Sequence, residues 1–146
     1  MRLLKEREKE FKKQVVAEAA HQLLSSKPFE AVTMDDIARQ VGCGKGTLYL
    51  YFSSKDHILS YLVARGLDSL CRDIEEQCLK NSDVLAAINS YLALQFHFFL
   101  KNNLLVSSWL RRRLTNSIPA EWAREIRHKL AYKLEMVAAV IERGIQ

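Results

Sequence analysis

Residues Thr33–Lys55, TMDDIARQVGCGKGTLYLYFSSK, decide the fold. Thr33 is a good helix N-cap, and Asp36 three residues on resembles the second half of a capping box. Ile37, Ala38 and Val41 then mark one apolar face of a short helix. Gly42 stops that helix, because glycine accepts the left-handed conformation that closes a C-terminus. Gly44 starts the next one, glycine being acceptable at an N-cap though weaker than serine. Leu48 and Phe52 stand four apart and face the core together, which leaves Lys45, Gly46, Thr47, Tyr49 and Leu50 on the other faces. Two short helices joined by a tight glycine turn form a helix-turn-helix, whose second helix enters the DNA major groove. The spacing alone is also compatible with an ordinary helical hairpin bearing a polar face.

Local charge favours the first reading. Between Ile37 and Lys55 lie Arg39, Lys45 and Lys55 and no acidic residue. Lys45 sits where the first backbone N–H groups of a helix are unpaired, so a phosphate would meet both the ammonium and those donors. Gly46 lets a partner approach the backbone. Thr47 and Tyr49 carry hydroxyls able to bond phosphate or a base edge.

Taken together, Thr33, Asp36-Ile37-Ala38, Val41-Gly42, Lys45-Gly46-Thr47-Leu48-Tyr49, Tyr51-Phe52 and Ser54-Lys55 resemble the DNA-binding signature of the TetR family of bacterial transcription regulators, in register over roughly residues 10 to 65. The resemblance implies a phosphate contact at Thr33. It puts Lys45, Gly46, Thr47 and Tyr49 on or near DNA, and Tyr51 and Lys55 as clamps on the backbone. It also implies that Lys12 or Lys13 can reach a phosphate. Gly44 departs from the family, which commonly has a serine or threonine cap there; one phosphate contact is expected to be lost or the recognition helix loosened.

The rest of the chain reads as helix. In 146 residues there are two prolines and five glycines, and 49% of residues are hydrophobic against 27% charged, an ordinary globular balance. The net charge of +5 divides as +2 over residues 1–60 and +3 over 61–146, so global charge says little about partners. Three cysteines, Cys43, Cys71 and Cys78, without paired spacing suggest reduced thiols in a cytosolic protein. The mixed-charge N-terminus lacks the apolar stretch of a signal peptide, and no run of 18 apolar residues suggests a membrane span. A cytoplasmic, nucleoid-associated protein is expected.

A first helix is expected from about Lys5 to Ser25, with a stripe of Phe11, Val15, Val16, Ala19, Ala20, Leu23 and Leu24, ended by Pro28. A long helix should run from about Lys55 to Leu79. A strongly apolar one, buried on several sides, should run from about Asp83 to Lys101. Asn102-Asn103 would interrupt it weakly, followed by a shorter helix to Thr115 and a last one begun by Pro119. The expectation is therefore all-α: residues 1–60 a three-helix DNA-binding domain with its motif at about 33–52, and residues 61–146 a helical ligand-binding and dimerisation domain, apparently short at the C-terminus. By the resemblance, further helices would normally build the dimer interface, so either the chain is a fragment or another surface dimerises.

The second half resembles the family's regulatory domain only in helix order and length. Such domains generally hold a small molecule, and Tyr91, Gln95, Phe96, Phe99, Trp109 and Trp122 could line a site for a hydrophobic or aromatic ligand, with Gln95 and His97 as polar anchors. Aromatic residues at helical spacing also simply pack. Arg111-Arg112-Arg113 reads as a solvated helix face rather than an anion site. The histidines share no ligand spacing with the cysteines, so no metal or other cofactor is expected. No nucleophile–base set or phosphate-cradling loop points to an enzyme. The leading expectation is a homodimeric repressor bound to a near-palindromic operator in double-stranded DNA and released by a small ligand. A DNA-bound regulator controlled by a protein partner is the alternative.

Overall fold

The structure, a computed structural model, describes residues 1–145; Gln146, the end of the expected second domain, lies outside the described residues. The elements are α1 (Arg2–Ser26), a 3₁₀ turn (Phe29–Ala31), α2 (Met34–Val41), α3 (Lys45–Tyr49), α4 (Lys55–Ile74) continued by a π-helical turn (Glu75–Leu79), α5 (Val84–Leu114) and α6 (Ala120–Ile145). Among the described residues there is no strand, and no helix is long and apolar enough to cross a membrane. The chain divides into two compact units: Met1–Leu62 with Leu104–Pro119, and Val63–Asn103 with the chain from Ala120 onward.

In the first unit, Lys27 turns extended (φ −134°, ψ 152°), as a residue before proline prefers, and α1 stops. Val16, Ala17, Ala20 and Leu24 of α1 are buried, as are Phe29, Val32, Ile37, Ala38, Leu48, Phe52, Ile58 and Leu59. Each large apolar side chain so buried contributes roughly 1.5–3 kcal/mol relative to exposure. The stripe expected on α1 begins later than its sequence suggested: Phe11 and Val15 are exposed, because the first turns of this helix extend beyond the residues it packs on. The Phe52 ring meets Tyr61 edge-on with centroids 5.3 Å apart. The Tyr61 hydroxyl donates to Glu10 Oε1 at 2.7 Å, tying α4 to α1. Leu105, Trp109 and Ile118 are buried and belong to this unit too.

The second unit is built on three helices. Val63, Ala64, Leu67, Leu70, Cys71 and Ile74 of α4 are buried, with Cys78 in the π turn. Gly66 lets α5 approach closely: a Cβ there would lie 3.2 Å from the Phe98 ring. Helices α5 and α6 run antiparallel, with Val84 beside Gly144 and Gln95 beside Lys133. Lys129 Nζ donates to Asp68 Oδ1 (2.5 Å), and the Arg143 guanidinium donates to the carbonyls of Cys78 and Leu79 (3.0 and 3.1 Å) at the end of the π turn. The three cysteines are free thiols, two of them buried.

Two expectations need correction here. Asn102-Asn103 does not break α5, which runs unbroken for 31 residues. The Asn102 amide donates to the Phe98 carbonyl at 2.9 Å and so bonds back along the helix instead of ending it. Nor is α5 buried on several sides: Leu85 (75% exposed), Phe96 (66%) and Phe99 (59%) stand in the open with Leu92 and Leu100. Three helices cover only part of one another's circumference, so the outward side of α5 stays bare.

Candidate nucleic-acid interface

Local chemistry fixes the motif. The Thr33 hydroxyl accepts the Asp36 backbone N–H at 3.1 Å while the Asp36 carboxylate accepts the Thr33 backbone N–H at 2.9 Å, a reciprocal capping box that starts α2. The hydrogen bonds from Thr33, side chain first, hold the Asp36 carboxyl below its usual range. At the other end Gly42 is left-handed (φ 78°, ψ 31°), and the N–H groups of Gly42 and Cys43 both donate to the Ala38 carbonyl at 3.0 Å. The chain thereby passes from the C-cap of α2 to the N-cap of α3 within two residues. Gly44 is extended (φ −71°, ψ 151°) and its carbonyl accepts the Leu48 N–H, opening α3.

Leu48 and Phe52 are wholly buried, which fixes the rotation of α3. Lys45, Gly46, Thr47, Tyr49 and Leu50 are all exposed, as is Thr33 at the start of α2. A Cβ placed on Gly46 would meet nothing within 4 Å. Glycine inside a helix costs about 1 kcal/mol relative to alanine, and nothing in the surrounding fold requires it there. The Lys45 ammonium lies 3.0 Å from Asp35 Oδ1, and that carboxylate pushes its pKa up. Such an exposed pair contributes little because water screens it, so the ammonium can exchange Asp35 for another anion at little cost.

Two expected contacts are differently placed. Tyr51 is half-buried, and Lys55 is turned inward. Lys55 Nζ donates to the carbonyls of Phe29 (2.5 Å) and Val32 (2.6 Å) and sits 4.1 Å from the Phe29 ring centroid. Burial, then the neighbouring Arg112, pulls its pKa down. In this structure Lys55 therefore holds the loop before α2. On α1, Lys12 pairs with Glu8 at 2.5 Å and Lys13 lies over the Phe52 and Tyr61 rings. The basic run on α5 is not simply a solvated face. Arg111 is exposed, but Arg112 is half-buried, grips both oxygens of Asp56 (Nη2 to Oδ2 at 2.8 Å) and stacks 4.8 Å from the Phe29 ring. This joint escaped the sequence reading because its members lie far apart in the chain.

The six residues proposed to line a ligand site fall in both units and differ in exposure. Tyr91 and Gln95, one turn apart on α5, are half-buried, and burial pushes the Tyr91 hydroxyl up. Phe96 and Phe99 face outward, and His97, the second expected polar anchor, is exposed. Trp122 is half-buried, whereas Trp109 is buried in the other unit. Sequence reasoning missed Lys133, whose ammonium donates to Gln95 Oε1 at 3.0 Å. It was detectable as a lysine in the apolar register Ile126, Lys133, Met136, Val140 of α6. Among the described residues no three metal-ligating side chains gather.

Comparison with known proteins agrees with this geometry. Residues 16–62 match the family described as bacterial regulatory proteins, tetR family. An uncharacterized HTH-type transcriptional regulator, YfiR of Bacillus subtilis (strain 168), is 35% identical over 77 residues, which cover 53% of this chain and 37% of YfiR. An HTH-type transcriptional regulator of Staphylococcus aureus (strain USA300) is 33% identical over 87 residues, 58% of this chain and 46% of that protein. The matched stretch thus spans less than half the length of these relatives. Among solved structures, the TetR family regulator PfmR from Thermus thermophilus superposes with a TM-score of 0.75 at 25% identity, over 89% of this chain and 70% of PfmR. FadR from Bacillus subtilis, solved in complex with stearoyl-CoA, gives 0.72 at 20% identity over 91% of this chain and 70% of FadR, a likeness of fold.

Proposed function

Because the chain belongs to the TetR family of bacterial regulatory proteins, we propose that it is a sequence-specific DNA-binding transcription regulator. It acts as a cytoplasmic homodimer on a near-palindromic operator and is released when a small ligand binds its second unit. One observation carries the reading: burial of Leu48 and Phe52 turns Lys45, Gly46, Thr47 and Tyr49 together to the outside of α3. A cation, a bare stretch of backbone and two hydroxyls on one exposed surface suit phosphate and base edges in a major groove. Thr33 at the start of α2 adds a phosphate contact. Gly46, unneeded by its own fold, gives a phosphate or base room to approach. Lys55, engaged with the Phe29 and Val32 carbonyls, acts indirectly by holding the loop that presents Thr33.

Release by a ligand is supported by kinship of fold with FadR, whose solved structure contains stearoyl-CoA. A ligand achieves it only by binding unequally to the DNA-competent and incompetent states. The exposed apolar side of α5 favours a second reading of the same unit, in which a protein partner rather than a small molecule sets the DNA-bound state.

Selection of bound sequences from a random DNA pool, followed by footprinting, tests the proposal. Two half-sites centred about 34 Å apart, or a multiple of that, are expected. Thr47→Ala should relax preference at one base position per half-site by about 1–3 kcal/mol. Recovery of no sequence preference would overturn the reading.

A further inference from the structure

The second unit holds a half-buried ammonium without a carboxylate. Helix α6 presents two lysines on its inner side, and the structure treats them differently. Lys129 Nζ is matched by Asp68 (2.5 Å) and Glu125 (3.5 Å). Lys133 Nζ donates only to Gln95 Oε1 among the described residues, and a neutral amide oxygen leaves its charge uncompensated. The other end of the same amide, Gln95 Nε2, is buried and has no acceptor among the described residues. Tyr91, one turn earlier on α5, is half-buried with its hydroxyl held protonated by burial. Donors therefore outnumber acceptors here, and a buried donor left unpaired in a native protein calls for an occupant.

We propose that Lys133 and Gln95 form an oxyanion site in the second unit, taking the carboxylate of a small amphipathic molecule with Tyr91 beside it. The charge count selects a monoanion. The titratable neighbours are the Cys71 and Cys78 thiols, both held up chiefly by burial, and Lys129, whose charge is already answered. One ammonium then balances one carboxylate, whereas a phosphate dianion would keep a second negative charge buried and unmatched. The same three helices have apolar interiors, with Leu70 and Ile74 of α4, Ala87 of α5 and Met136 of α6 buried, which suits an anion that carries an apolar body. This names a ligand chemistry for the unit to which the regulatory role was assigned, and it rests on that role only for its consequence at DNA.

Calorimetric titration of the full chain with octanoate, 1-octanol and octyl phosphate tests the site. Octanoate is expected to bind at least ~10-fold more tightly than the other two, the factor that losing one charge-assisted contact brings. Lys133→Met and Gln95→Leu should each weaken octanoate about 10-fold, and Lys133→Arg should keep most of the affinity. Ligand-free Lys133→Met should melt no lower than the parent, since it removes an unmatched buried charge; a lysine serving only structure would give the opposite shift. Absence of octanoate binding, equal or tighter binding of octanol or octyl phosphate, or an unchanged Lys133→Met would each overturn the proposal. Octanoate binding without operator recognition would sustain the site and sink the regulator reading; the reverse pair of results would do the opposite.

Discussion

The two units solve the burial problem differently. The first seats its motif on a closed core: Ile37, Leu48 and Phe52 are fully buried, Lys55 is held on backbone carbonyls and Arg112 on Asp56, while Phe11, Val15 and Leu50 stay exposed at its margins. The second buries one side of each helix and leaves Leu85, Leu92, Phe96, Phe99, Leu134 and Ile141 in water. Among the described residues it also pairs the Lys133 ammonium with an amide and no carboxylate. A unit that presents a fixed surface to DNA needs internal closure, because the angle of α3 is set by what lies beneath it. On the proposed reading the second unit responds to a ligand or partner, and the apolar side chains that α5 leaves in the open suit that role.

That contrast is easiest to break with paired aromatic truncations. Phe52→Ala should cost about 3–5 kcal/mol and abolish the thermal transition of the first unit. Phe96→Ala, equally large in sequence, should change stability of the isolated chain by no more than about 0.5 kcal/mol. Similar losses in the two variants, read by thermal or urea unfolding, would remove the distinction between the units.

Next in size is the joint at Asp56. Removing one side of a partly buried, bidentate pair leaves the other uncompensated, so Arg112→Ala should cost roughly 1–3 kcal/mol. Arg112→Lys should recover little of it, since lysine cannot grip two oxygens or stack flat on Phe29. Unfolding measurements on the two variants would show whether guanidinium geometry, rather than charge, closes the first unit.

Thr33→Ala should cost about 1 kcal/mol through loss of the α2 cap. The hydrogen bonds from Thr33 lower the folded-state pKa of Asp36, so their contribution is full above the ordinary aspartate pKa and disappears as pH falls through the folded value. The melting difference between parent and Thr33→Ala should accordingly narrow on acidification from about pH 6 to about pH 3.

Much of the first unit was legible in the sequence because its determinants are local. Thr33 and Asp36 are three apart, Gly42 stands where α2 must stop, and Leu48 and Phe52 share a helix face. What escaped the reading is long-range. Lys55 finds its carbonyls 23 and 26 positions away, Arg112 its carboxylate 56 positions away, and Lys133 its amide 38 positions away. Lys55 read as a clamp on DNA and Arg112 as part of a solvated face because nothing beside them in the chain points to these partners. In α5 the apolar pattern was plain, but hydrophobicity records that Phe96 and Phe99 gain by burial, not which molecule covers them. Asn102-Asn103 read as a break because the helical bond from Asn102 to the Phe98 carbonyl depends on a rotamer.

The central claim is that the outward side of α3 meets DNA, and the salt dependence of binding tests it most directly. Anisotropy titrations of the selected operator at several salt concentrations, for the parent and for Lys45→Ala, would give the two slopes of log affinity against log salt. A phosphate contact at Lys45 predicts weaker binding to all sequences and a slope shallower by about one per head. Identical slopes and affinities would contradict it.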